Sequence, residues 1–104
     1  MQMAHFIVSF RIDNNSTYQE RYESLRDRVK EIATGYVWDE TTSLYILQTN
    51  GTAESVANDL YFKTKLLAPG DTLLVVDHIN RQWAGHGIKY EALLGAALGI
   101  VQTK

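Results

Sequence analysis

FIVSFRIDNN, Phe6 to Asn15, is the stretch on which the fold turns. Phe6, Val8, Phe10 and Ile12 alternate with Ile7, Ser9 and Arg11, the period of a pleated strand whose first set faces a core. His5 extends the second set by one position. That set is mixed, so its face is only partly buried. Asp13-Asn14-Asn15-Ser16 are turn formers and end the strand in a polar loop.

The chain after this loop is read in the same way. Tyr18, Tyr22, Leu25, Val29 and Ile32 recur at spacings of four, three, four and three, which predicts a helix over Thr17 to Ala33. Thr17-x-x-Glu20 fits a capping box at its start, and Gly35 offers a left-handed cap at its end. Tyr36-Val37-Trp38 reads as a short strand, Asp39 to Thr42 as a hairpin loop, and Ser43 to Thr49 as a third strand. Asn50-Gly51 signals a turn. Thr52 can cap a second helix with Val56, Ala57, Leu60 and Tyr61 on one face, fading near Lys65 to Ala68. Pro69-Gly70-Asp71 is a turn, and Thr72 to Ile79 is a fourth strand. Asn80 to Gly87 reads as a Gly-containing loop and the one candidate linker. Residues 88–104 form an apolar tail, a short helix or a segment docking on the sheet or on a partner chain.

The order strand, helix, strand, strand, helix, strand predicts an α+β, ferredoxin-like βαββαβ sandwich over residues 1–87. Its antiparallel sheet carries two helices on one face, and its first strand lies between the third and the fourth. The other face has no helix. The fourth strand is apolar on both sides, Leu73 and Val75 against Leu74 and Val76, so something covers that face as well. A second copy of the chain is the expected cover, ahead of the apolar tail, because two-fold dimers dominate soluble oligomers.

Composition narrows the function. The 104 residues suffice for one core, and with 45% hydrophobic residues the chain is not a disordered type. Cysteine is absent, which removes disulfides and thiolate metal sites and fits a reducing, cytoplasmic setting. A net charge of −2 with no basic run gives no support to tight, non-specific nucleic-acid binding. Met1 to His5 lacks the pattern of a signal peptide. Ala92 to Val101 is about half a membrane span, so no membrane partner is expected.

The opening strand FIVSFRI before a tyrosine-bearing helix, the short aromatic strand with Trp38, and LLVVDHIN followed by Trp83 resemble the second core CRISPR-associated protein family and its SinR-like relatives. The resemblance spans roughly the first eighty residues. It implies a ferredoxin-like homodimer, with some members acting as metal-dependent nucleases and others as DNA-holding scaffolds. The nuclease members place an aspartate directly after the terminal aromatic of the first strand. Arg11 occupies that position here. A carboxylate there would bind a divalent metal that activates water; an arginine holds a phosphate or carboxylate through its planar fork instead. Asp13, two positions on, is either a displaced metal ligand or a loop residue in an Asx-turn, with the loop role favoured.

Other candidates are sparser. His5 and His78 fall near each other if the first and fourth strands are antiparallel neighbours, but Asp77 and His78 point to opposite faces, which disfavours a metal site. Arg81 and Trp83, with His86, could stack a base or hold an anion, although packing of Trp83 on the sheet edge or a partner is favoured. The tyrosines of the first helix belong to its core stripe. No cofactor is expected, a divalent metal entering only with nuclease activity. The sequence therefore points to a homodimeric scaffold or weak nucleic-acid binder without catalysis. The alternatives are a small-ligand-binding or regulatory module, and a nuclease using Asp13.

Overall fold

A computed structural model describes residues 3–100. The elements are β1 (Met3–Arg11), α1 (Tyr18–Ile32), β2 (Trp38–Thr41), β3 (Leu44–Asn50), α2 (Ala53–Phe62), β4 (Thr72–Asp77), β5 (Gln82–His86) and α3 (Glu91–Leu98). They build an α+β protein whose single antiparallel sheet has the order β2-β3-β1-β4-β5. The first four strands fall in the expected sequence, and the arrangement is compatible with the split βαβ pattern. The fifth strand was not anticipated; the third helix falls in the apolar tail, which the sequence ranks second, after a partner chain, as cover for the sheet.

Strand parity sorts the side chains as β1 predicts. Phe6, Val8 and Phe10 enter a core with Tyr45 and Leu47 of β3, Leu73 and Val75 of β4, Leu25 and Val29 of α1, and Val56, Ala57 and Leu60 of α2. Burial of these side chains supplies the main stabilisation, about 1.5–3 kcal/mol for each large one. Arg28 of α1 clamps Asp59 of α2 through two hydrogen bonds of 2.7 and 2.8 Å. That clamp lowers the Asp59 pKa, through the Arg28 hydrogen bonds first.

Tyr45 stacks on Phe10 with ring centroids 5.3 Å apart, yet its buried hydroxyl has no hydrogen-bond partner. Burial pushes its pKa up, and the neighbouring Tyr22 phenol adds to the shift, although no hydrogen bond of good geometry joins the two hydroxyls. An unmade buried hydrogen bond costs about 1–3 kcal/mol. Tyr45→Phe keeps the ring and removes the orphan, so urea denaturation should show stability unchanged or raised by about 1 kcal/mol. A loss of that size would show that the hydroxyl is satisfied in solution.

Several boundaries differ from the sequence reading. The Thr17–Glu20 capping box does not form, because the Thr17 hydroxyl is engaged by Asn15 and by Arg21. Helix α1 ends at Ala33 in an extended conformation rather than at Gly35, and the Thr34 amide then donates to the Gln48 carbonyl. β2 begins at Trp38, not Tyr36, and takes in Asp39 to Thr41, leaving Thr42-Ser43 as the turn; Trp38 finds Ile46 as its cross-strand neighbour. β4 stops at Asp77, whose carboxylate accepts the amides of Ile79 and Asn80 and turns the chain. At Thr52 the expected cap does form, reciprocated by Ser55.

The largest correction concerns Asn80 to Gly87. It is not a linker: Gln82–His86 is a strand paired along β4. Its glycines suggested a loop, but each meets a packing demand. A Cβ on Gly85 would lie 2.4 Å from the Leu73 carbonyl of β4 and 3.1 Å from Ile88, so the bare glycine lets β5 pair closely with β4 beneath Ile88. Gly87 has φ +72°, and a Cβ there would lie 2.1 Å from the Asp71 carbonyl. The chain thereby turns back, and α3 crosses the face opposite α1 and α2. Residues 101–104 of the expected tail lie outside the described residues.

Candidate functional site

The loop after β1 is held by a buried ion pair. Arg21 sits at helical spacing from Leu25 and Val29, so its side chain points inward with theirs. It is only 4% exposed and pairs with Asp71, which is 2% exposed. The remaining guanidinium donors reach the Thr17 hydroxyl, the Asp13 carbonyl and the Asn15 side chain. The Asp71 carboxylate also accepts the amides of Asp13 and Leu67, at 2.8 and 2.9 Å. Burial opposes ionisation of Asp71, and Arg21 with the two amides more than offsets it, leaving the pKa lowered. Sequence reasoning missed this pair; its one signal was an arginine in register with the α1 stripe.

This network separates the two residues on which the sequence reading hinged. Asp13 is exposed, with its carboxylate beside Gly70. Arg11 lies on the face opposite α1 and α2, paired in register with Thr72. There it lines a groove of about 630 Å³ between the sheet and α3, with Ser9, Leu74, Lys89, Tyr90, Leu93 and Leu94 among the walls. Asp13 takes no part in that groove.

Arg81 and Trp83 come together at the other end of α3 and serve it structurally. Arg81 Nη2 donates to the Gly99 carbonyl at 2.7 Å, and Trp83 Nε1 to the Ile100 carbonyl at 3.1 Å. Both satisfy carbonyls that the end of a helix leaves without partners. Trp83 is 1% exposed, so it offers no ring to a base. His86 stacks on Tyr61 at 4.2 Å and its Nε2 meets Asn58 Oδ1 at 2.9 Å. Burial lowers its pKa. His78 lies in the turn beyond β4, past the last β1–β4 pair, Ile7 with Val76. Among the described residues no group of three or more His, Cys, Asp or Glu side chains could hold a metal ion.

The face opposite α1 and α2 carries one apolar row across the whole sheet. Trp38, Ile46, Ile7, Val76 and Trp83 are successive cross-strand neighbours from β2 to β5. α3 lies against the Trp83 end, where Val76 and Trp83 are buried; Trp38, Ile46 and Ile7 stay partly open. α3 itself is apolar almost all round, yet none of its residues is fully buried. Among the described residues no helix is long and apolar enough to cross a membrane. No protein-family model, curated protein or solved structure matches this chain.

Proposed function

We propose that the chain is a non-catalytic binding scaffold of ferredoxin-like topology that works as a homodimer through the sheet face opposite α1 and α2. The observation that carries the reading is the row from Trp38 to Trp83, covered at one end by α3 and open at the other. A helix that is apolar all round calls for cover on its outer side. A two-fold axis along the central strand satisfies both needs, because it lays α3 of each copy on the open β2–β3 half of the other. Holding, rather than cutting, is favoured by Arg11 at the position that carries the aspartate in the nucleases this sequence resembles. Asp13 stands apart from the Arg11 groove, and among the described residues no group of three or more His, Cys, Asp or Glu side chains that could hold a metal ion gathers around it.

The test combines association with activity. Sedimentation of the wild type should give twice the 11.8 kDa chain mass, and Ile46→Asp should give the monomer with unchanged circular dichroism. Labelled single- and double-stranded RNA and DNA, with Mg²⁺ or Mn²⁺, should remain uncut. A wild type that stays monomeric at high concentration would remove the pairing. Cleavage abolished by Asp13→Ala would replace the scaffold with a nuclease. Weak nucleic-acid retention lost in Arg11→Ala would identify the scaffold's cargo.

A further inference from the structure

Five of the nine Lys and Arg side chains among the described residues have carboxylate partners. Arg21 pairs with Asp71, Arg26 with Asp27, and Arg28 with Asp59 and Glu31; Lys63 and Lys65 lie near Asp59 and Glu20. Arg11, Lys30, Arg81 and Lys89 have none, and of these Arg11 and Lys89 share one groove. Both are exposed, neither has a carboxylate partner among the described residues, and both line the groove beside α3. No acidic side chain lines it. The rest of the wall is mainly apolar, with Leu74 on the sheet and Leu94 on α3, and the Ser9 hydroxyl adds a donor near Arg11. The Tyr90 ring has Lys89 Nζ 5.4 Å from its centroid.

We propose that this groove, between Arg11 on β1, Leu74 on β4 and Lys89, Tyr90 and Leu94 at α3, binds a small carboxylic acid with an apolar body. Its volume of about 630 Å³ lies within the range of small-molecule sites, roughly 300–1,000 Å³. The acid head meets the planar fork of Arg11, which matches a carboxylate through two parallel hydrogen bonds. Lys89 adds a second positive charge. The aliphatic or aromatic body lies along Leu74 and Leu94, with Tyr90 at the mouth. A monoanionic head suits the site better than a phosphate: only two cations converge, and Glu91 takes up the positive end of α3. The site goes beyond the scaffold reading, and pairing is not needed to form it, because all of its walls come from one chain.

Calorimetric titration and thermal shift with octanoate, 4-phenylbutyrate and octyl phosphate, beside the neutral octanamide, test the proposal. The wild type and the Ile46→Asp monomer are run in parallel. One of the two carboxylates should bind saturably, raise Tm in both proteins and weaken with added salt. Arg11→Gln should reduce affinity at least tenfold without lowering the Tm of the free protein, because Arg11 is exposed and unpaired. Arg11→Lys should fall between, having charge without the fork. No saturable binding, equal binding of octanamide, or affinity unchanged in Arg11→Gln would overturn the site. Octyl phosphate binding more tightly than either carboxylate would overturn the assignment of the head group. Binding lost only in Ile46→Asp would overturn the independence from pairing.

Discussion

Replacing Arg21 by alanine should cost about 3–5 kcal/mol, because it leaves the Asp71 carboxylate buried without its counter-charge. The damage reaches beyond the pair. The Asp13 carbonyl loses its side-chain donor, the Asn15 side chain loses one of three donors, and the loop between β1 and α1 loses part of its anchor. Urea denaturation at neutral pH should show the midpoint fall sharply. Asp71→Asn alone should also be costly, since it strands the guanidinium. The double variant Arg21→Met, Asp71→Asn should recover part of the loss, because no buried charge remains and the amide oxygen can still accept a backbone N–H. The pair also sets an acid limit. The folded-state pKa of Asp71 is lowered, so its contribution is complete above the unfolded value of about 3.9. It is then lost as pH falls through the folded value. Denaturation midpoints between pH 7 and pH 2.5 should decline over that window in the wild type and less steeply in the double variant. Equal slopes would show that Asp71 does not carry the acid sensitivity.

Trp83→Ala should cost a further large amount, about 3–5 kcal/mol for removing a buried aromatic, and the loss should have a visible local signature. Trp83 is the floor on which the C-terminal end of α3 rests and the donor to Ile100. Without it α3 keeps only the Arg81 hydrogen bond at that end. Lys89 precedes the helix, so limited trypsin digestion should cut there faster in the variant. Trp83→Phe separates packing from hydrogen bonding: it fills most of the volume and forfeits the N–H bond, so about 1–2 kcal/mol is expected. Wild-type cleavage kinetics in Trp83→Ala would show that α3 is held by something other than this residue.

Much of the scaffold was readable because two periods dominate it. The alternation in FIVSFRI, the four-three spacing in α1 and the Thr52 cap each specify an element locally. β5 was not readable, since Gly85 and Gly87 mimic a loop and their reason lies elsewhere, in Ile88 and the Leu73 and Asp71 carbonyls. The start of α1 shifted because the neighbouring Asn15 engages Thr17, and the end of α1 and the start of β2 shifted because Gln48 and Ile46, more distant partners, decide where the chain turns. The candidate site divided along the same line. Arg11 was visible as an oddity after Phe10, and its groove depends on where α3 lies, which composition alone does not fix. Arg81 and Trp83 suggested a ligand loop because their partners, two helix-terminal carbonyls, carry no side-chain signature.

β1 sits in the middle of the sheet, between a strand that begins at Leu44 and one that ends at Asp77. On the ribosome the first strand made is therefore among the last to be completed. At about 5–20 residues per second, its second neighbour emerges several seconds after it. Through that interval FIVSFRI is an apolar strand with one side unpaired. Pairings so distant in sequence also slow folding itself, since the loops must close before the contacts form. The cellular demand for a chaperone on this chain should thus come from its opening residues, and a fragment that stops before Thr72 should be retained by one rather than fold.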